Sequence, residues 1–175
     1  MRRPVRKNKT IARGKMPPEV CLGRSDVHGY GLFARDFIPK DARIIEYVGE
    51  RITKAEAERR EEHRLARLAA GEDGCVYVFE LNQRHDIDGN VTWNPARRSN
   101  HSCGPNCETQ NIRGHIWVIA LRDIAPGEEL CYDYGFDYSE WQDHPCRCGA
   151  KECVGYIVKA SQRWRVRRKL AAKRS

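Results

Sequence analysis

The sequence predicts a mostly-β domain with one surface helix, a small cysteine-rich appendix and a basic tail at each end. Three observations predict it. Short apolar runs broken by Gly, Asp and Pro fill most of the chain. Helix-forming composition is sustained over several turns in one stretch only, "KAEAERREEHRLARLAAG". Three cysteines crowd into "CRCGAKEC", Cys146 to Cys153. The 175 residues suffice for one domain with a core of its own plus appendages.

The elements follow in order. Pro17-Pro18 ends the N-terminal tail. "VCLGRSDVHGYGLFARDFIPKDARIIEYVGERI" reads as short strands and turns, with "IIEYVGE" a strand closed by a turn at Gly49. Thr53 and Glu56 have the spacing of a capping box, so a helix starts there and runs over 54–70 to a cap at Gly71. Leu65 and Leu68 give it only a narrow apolar stripe, which places it on the surface. "CVYVFEL" is a strand, and "HDIDGN" has turn chemistry. Asp86 and Asp88 therefore read as turn residues rather than a metal clip. "HIWVIALRDI" is a further strand and "APGEEL" a turn, with Asp123, Glu128 and Glu129 solvated. No sequence repeat is visible. The predicted organisation is a basic tail at 1–18, the main domain at 19–140, the appendix at 141–158 and a second basic tail at 159–175.

The net charge of +8 is unevenly spread. Residues 1–15 carry seven Lys/Arg and residues 159–175 carry eight, with no acid in either. Residues 16–158 then hold 17 basic against 24 acidic side chains. Basic ends are suited to neutralise phosphates, and contact with nucleic acid through the tails is one expectation. Solvated, disordered ends are the plainer one. The acidic middle favours a basic partner, such as a Lys/Arg-rich protein segment. No apolar run approaches the ~20 residues that span a membrane, and the N-terminus lacks the apolar stretch of a signal peptide. An intracellular monomer without membrane contact is expected.

An even number of cysteines, eight, can signal disulfides, but only in an oxidising compartment. Cys146-x-Cys148-x4-Cys153 is too cramped for a disulfide framework, and Gly149 frees the turn between its halves. Three thiolates so spaced suit one Zn²⁺, which needs a fourth ligand from elsewhere. Cys103, Cys107 and His144 are the candidates. Cys21, Cys75 and Cys131 lie in apolar or strand-like runs and read as small buried hydrophobes.

Four segments now stand in a known order: "HGYGLFA", "RRSNHSCGPNC", "GEELCYDY" and "CRCGAKEC". Together they resemble the SET-domain protein-lysine methyltransferases, the last being similar to their post-SET zinc motif. The resemblance covers about residues 19–158. It implies a SET-domain fold of small twisted β-sheets with a pseudo-knot, in which the "NHSC" and "YDY" segments are threaded together, and a C-terminal zinc-bound post-SET segment. It further implies that Cys103 joins Cys146, Cys148 and Cys153 on zinc. The zinc would tie the appendix over the cofactor and the substrate channel.

The activity implied is transfer of a methyl group from S-adenosylmethionine to a lysine amine of a basic or histone-like protein, stopping at mono- or dimethylation. Tyr134 corresponds to the catalytic tyrosine, Tyr47 and Tyr77 to further channel tyrosines, and Tyr132 to the Phe/Tyr position that limits the product. His28, Gly29, Tyr30, Gly31, Arg97, Asn100, His101, Tyr134 and Tyr156 match cofactor-binding positions, with Gly29 and Gly31 letting backbone approach the cofactor closely. Cys131 stands where the family commonly has Thr. Location would be the nucleus or chromatin in a eukaryote and the cytoplasm in a bacterium. The alternative is a catalytically weak SET-like binding module that associates with nucleic acid or a basic protein through its tails. Tyr134, Asn100, His101 and Gly31 discriminate, because such a module could dispense with them.

Overall fold

A computed structural model describes residues 14–71 and 75–173. The expectation for the basic segment at 1–13 lies outside the described residues. In chain order the elements are β1 (Val20–Arg24), β2 (Tyr30–Ala34), β3 (Arg43–Tyr47), β4 (Glu50–Thr53), α1 (Lys54–Ala69), β5 (Val78–Glu80), β6 (His85–Asp88), β7 (Asn100–His101), β8 (Cys107–Ile112), β9 (His115–Ala120), β10 (Cys131–Tyr132) and α2 (Arg163–Ala172). The domain is mostly β, as predicted. It divides into two compact units. One is built on Glu46–Arg97 with Asn111–Ile116, the other on Met16–Ile45, Arg98–Gln110 and residues 117–173.

The second unit holds the β1–β2 ribbon, antiparallel with Leu22 opposite Leu32, and most of a five-stranded sheet in the order β3-β9-β8-β10-β7, of which Glu46, Tyr47, Asn111, Ile112, His115 and Ile116 are assigned to the first unit. Its core is Val20, Leu32, Val118, Ile124 and Leu130, all fully buried. Burying such side chains stabilises by roughly 1.5–3 kcal/mol each. β10 lies between β7 and β8 and runs parallel to both. Cys131 pairs with Asn100, and Tyr132 with His101 and Cys107. The "NHSC" and "YDY" blocks, some thirty residues apart in sequence, are thereby strand neighbours.

The first unit holds the sheet β4-β6-β5 and α1. Thr53 Oγ1 accepts a hydrogen bond from the Glu56 amide at 3.2 Å, and Gly71 follows the helix with φ +81°. Both ends match the sequence reading. None of the helix residues is buried, so ion pairs rather than apolar packing hold α1. Lys54 Nζ lies 2.6 Å from Asp86 Oδ1. Arg60 reaches Glu50 at 2.9 Å, Glu56 at 2.7 Å and, closer still, Asp88. This corrects the turn expected at "HDIDGN". His85–Asp88 is a strand, and the turn starts at Gly89, where the Asn90 amide donates to Asp88 Oδ1 at 2.9 Å. Two residues apart on a strand, Asp86 and Asp88 face the same side, and there the helix supplies their cations. "CVYVFEL" is strand over Val78–Glu80 only.

The C-terminal basic tail is corrected in the same way. Residues 163–172 form a second helix, α2, where one helix was expected. Val166, within it, joins Trp141, Val154 and Val158 in a small separate core, with Tyr138, Tyr156 and Leu170 against it. Only Val166 and Leu170, four apart, form the apolar stripe that meets this core. That is too thin for periodicity to reveal among five Lys/Arg in ten residues.

Candidate functional site

The parallel pairing of β10 with β7 brings the "SNH" and "YDY" side chains together. Ser99 Oγ donates to the Leu130 carbonyl at 2.8 Å and ties the residue before β7 to the residue before β10. The Tyr134 hydroxyl then donates to the Ser99 carbonyl at 3.0 Å, and the Tyr134 amide to His101 Nδ1 at 3.2 Å. Tyr134 is thus held at both ends. Its ring lies 4.9 Å from Tyr132, 5.3 Å from His101 and 6.0 Å from Phe136, centroid to centroid. Burial pulls His101 down to about 4, which leaves the imidazole neutral at pH 7. Since Nδ1 accepts from an amide, the proton is on Nε2, which faces Cys103 Sγ at 3.4 Å.

A second cluster gathers around Asn100. Its Nδ2 donates to the His28 carbonyl at 3.2 Å, the Tyr30 carbonyl at 3.3 Å and Glu129 Oε1 at 2.7 Å. The expected cofactor residues His28, Gly29, Tyr30, Gly31 and Asn100 are therefore adjacent. Gly29 carries a left-handed φ of +53°. Gly31 leaves room for a group the sequence did not suggest: a β-carbon there would meet the Glu129 carboxylate, which would have to move. Glu129, expected to be solvated, is instead part of this cluster, with Ser25 Oγ donating to its Oε2 at 2.9 Å. No local signal could have revealed this, since Ser25 is 104 residues away. Gly31→Ala should displace Glu129 and loosen Asn100. Cofactor affinity measured by calorimetry should fall about tenfold or more, and unchanged affinity would show the space to be adaptable. Glu128 and Asp123 are also engaged. The Arg122 guanidinium, at 2.6 and 3.0 Å, holds Glu128 down to about 2, and Asp123 accepts from the Lys40 amide at 2.8 Å.

Tyr47, Tyr77 and Arg97 belong to the other unit and contact one another there. The Tyr47 hydroxyl donates to the Tyr77 carbonyl at 2.9 Å, and the Arg97 guanidinium lies 6.0 Å from the Tyr77 ring centroid. Arg97 Nη1 also donates to Asn90 Oδ1 at 3.1 Å.

Two of the three thiols of the C-terminal motif, Cys146 and Cys148, converge with Cys103 and with His101, which was not among the expected ligands; Cys153 is not part of that tight group. The ligand atoms of His101, Cys103, Cys146 and Cys148 all lie within 4.8 Å of one another. Cys103 Sγ is 3.9 Å from Cys146 Sγ. The Cys153 thiol contacts those of both Cys146 and Cys148. Burial pushes Cys103 up, and Cys146 up to about 12. Burial opposes ionisation of Cys148 too, but the amides of Cys103 and Ala150 and the neighbouring thiols hold it down to about 7. The Cys103 amide donates to Cys148 Sγ, and the Gly155 amide to Cys153 Sγ, each at 3.3 Å. Amides aimed at sulfur favour thiolate, and crowded thiolates need a cation. The residues fit a tetrahedral zinc. Of the other candidates for a fourth ligand, His144 stacks on Phe136 with centroids 4.0 Å apart, and Cys107 is buried in β8. Tyr156 packs edge-on against Trp141 at 4.5 Å.

Comparison with known proteins agrees with this geometry. A family model described as "SET domain" matches residues 29–135. The human protein named "Histone-lysine N-methyltransferase 2D" is 40% identical over 139 residues, covering 77% of this chain and 2% of the relative. The Saccharomyces cerevisiae protein named "Histone-lysine N-methyltransferase, H3 lysine-4 specific" is 40% identical over 149 residues, covering 82% of this chain and 13% of the relative. The Drosophila virilis "Histone-lysine N-methyltransferase trithorax" is 39% identical over 142 residues, covering 79% and 4%. The chain thus spans a small fraction of the length of these relatives. Among the described residues, no helix is long and apolar enough to cross a membrane.

Proposed function

This chain belongs to the SET-domain family, and we propose that it transfers a methyl group from S-adenosylmethionine to the side-chain amine of a lysine in a basic, histone-like protein. The observation that carries this is the insertion of β10 between β7 and β8, which assembles Tyr134, Ser99, His101 and Asn100 in one place. The binding-module alternative could dispense with that assembly. S-adenosylmethionine, when bound, supplies the electrophilic methyl group. The protein's part is alignment and control of a proton. A lysine amine has a pKa near ~10.4, so about one in a thousand is neutral at pH 7. An aromatic lining removes water from the ammonium form and lowers that pKa. Tyr134 spends its hydroxyl proton on the Ser99 carbonyl, so its oxygen is an acceptor toward the reacting groups. Asn100 holds the backbone on both sides of Gly29, the segment assigned to the cofactor.

We assign zinc to Cys103, Cys146, Cys148 and Cys153. His101 enters the same cluster, but its Nε2 carries a proton and so donates to the Cys103 sulfur instead of binding metal. The acidic balance of residues 16–158, 24 acids against 17 bases, supports a basic substrate. Such a partner would place the protein at chromatin or an equivalent nucleic-acid assembly. The direct experiment is transfer of tritiated methyl from S-adenosylmethionine to a mixture of core histones, followed by mass spectrometry of lysine. Absence of label on any protein would overturn the proposal.

Two further outcomes are expected. Tyr132, buried beside Tyr134, is assigned the product-limiting role. A hydroxyl there can hold a water against the amine, and displacing such a water without replacing its bonds costs on the order of 1 kcal/mol. A penalty of about 1.4 kcal/mol is tenfold in rate. Tyr132→Phe should shift the product toward trimethyl-lysine with the first step nearly intact. Wild-type protein that runs readily to trimethyl-lysine would refute the assignment.

The exposed face of α2 carries Arg165, Arg167, Arg168, Lys169 and Trp164, the last 57% exposed. Affinity for duplex DNA should be sequence-independent and fall steeply with salt. Because Val166 is core, neutral substitution is a cleaner test than truncation. Arg168→Gln with Lys169→Gln should flatten the slope of log K against log salt by about 0.9 for each phosphate that is no longer neutralised. An unchanged slope would remove α2 from the DNA-binding surface.

A further inference from the structure

We propose that Arg163, the first residue of α2, is a positioning residue for methyl transfer: its guanidinium fixes the tyrosine-bearing segment to the thiol-bearing segment that follows β7. The inference rests on the methyltransferase reading of that site. Arg163 is only 7% exposed. Its planar fork of donors is satisfied by three separate segments. Nε donates to the Val158 carbonyl at 3.0 Å, Nη1 to the Cys103 carbonyl at 2.6 Å and Nη2 to Asp133 Oδ2 at 2.6 Å. Each acceptor belongs to a different part of the machinery. Val158 ends the cysteine-rich appendix, Cys103 is an assigned zinc ligand, and Asp133 stands between Tyr132 and Tyr134.

The Asp133 contact carries the argument. Asp133 Oδ1 accepts from the Gly135 amide at 3.0 Å, so the carboxylate that Arg163 grips also holds the backbone on the far side of Tyr134. With the Tyr134 amide on His101 and its hydroxyl on Ser99, Arg163 completes the bracketing of that ring. No other residue type reproduces this. A lysine offers a point charge on a flexible stem, whereas the guanidinium orients three acceptors in one plane. Rate depends steeply on such placement, because a misplacement of about 1 Å can cost about a hundredfold. The cofactor cluster around Asn100 makes no contact with the guanidinium in any of these bonds.

The test uses the full, zinc-loaded chain with S-adenosylmethionine and core histones. Three variants are compared: Arg163→Lys, Asp133→Asn and Val166→Ala. Val166 is 0% exposed, lies in the same helix and makes none of the Arg163 bonds, so it reports general weakening of the appendix; because Tyr156 packs against the same core, kcat is read at saturating cofactor. Arg163→Lys and Asp133→Asn should each lower kcat at least tenfold while cofactor Kd, by calorimetry, changes less than threefold. Combining them should add little to either alone, since both break the same bond. Val166→Ala should lower the melting temperature by as much or more yet keep kcat within threefold. If Arg163→Lys keeps more than a tenth of kcat, or Val166→Ala loses as much activity for the same loss of melting temperature, the positioning role is overturned. Should the wild-type chain label no protein, the methyltransferase reading falls and takes this inference with it. A labelling wild type with an indifferent Arg163→Lys overturns the inference alone.

Discussion

Tyr134→Phe is expected to lower kcat by about 10²–10³-fold while cofactor affinity and KM stay within a few fold. Removing one aligned polar group from a preorganised site costs about 2.7–4 kcal/mol of transition-state stabilisation, which is that range of rate. The hydroxyl oxygen is oriented in advance by its bond to the Ser99 carbonyl at 3.0 Å. It need not reorganise as charge moves from sulfur to the amine. The loss should therefore fall on kcat and not on binding. A smaller structural effect accompanies it, since the Ser99 carbonyl loses a donor. That costs on the order of 1 kcal/mol, or about 2–4 °C in melting temperature for a domain of this size. Single-turnover kinetics with radiolabelled cofactor separate the two effects. Near-normal turnover in Tyr134→Phe would reduce this tyrosine to packing.

The second large effect concerns metal. Cys103 contributes three groups: a thiol among the other sulfurs, an amide that donates to Cys148 Sγ and a carbonyl that accepts from Arg163. Cys103→Ser removes the thiolate and leaves both backbone contacts in place. Zinc affinity should fall by about a hundredfold or more, taking a structural site's roughly 10–16 kcal/mol as shared among four ligands. With the metal loosened, the 146–153 segment is tethered by weaker contacts: the Cys103 amide on Cys148 Sγ, the Arg167 guanidinium on the Glu152 carbonyl and the small core around Trp141. Cofactor affinity should fall with it. Metal analysis of protein purified without chelator, against a competing chelator of known affinity, gives the answer. Zinc content equal to wild type would exclude Cys103 and return His144 or Cys107 to consideration. A His101→Gln control keeps a donor toward sulfur at similar reach. It should retain zinc if His101 is a neighbour of the ligand and lose it if His101 is itself a ligand.

Much of this protein was legible where the relevant partners are close in sequence. The start of α1 could be read from Thr53 and Glu56, three residues apart, and both do what the spacing says. The closeness of Cys146 and Cys148 could be read from their spacing, whereas the approach of His101 and Cys103 to them could not. The family could be read from the order of four blocks, because a shared history preserves order even where no local rule explains it. Asp86 and Asp88 have turn-forming chemistry in sequence yet lie in a strand. Turn-forming residues there have their charges taken up by Lys54 and Arg60 from a helix about thirty residues earlier.

What only the tertiary structure decided has one physical cause, the long separation between interacting groups. Parallel strands need no local turn between them, so nothing in the residues beside Tyr132 announces that it pairs with His101 and Cys107. Glu129 looks like one more solvated acid until Ser25 and Asn100 close on it. Arg163 looks like one charge among eight in a tail until Asp133, thirty residues back, and the Cys103 carbonyl, sixty back, complete its bonds. A charged side chain is read from sequence as solvated because that is its cheapest state alone. Its burial becomes favourable only once a fold delivers every partner at hydrogen-bond distance, and that delivery is a property of three-dimensional threading.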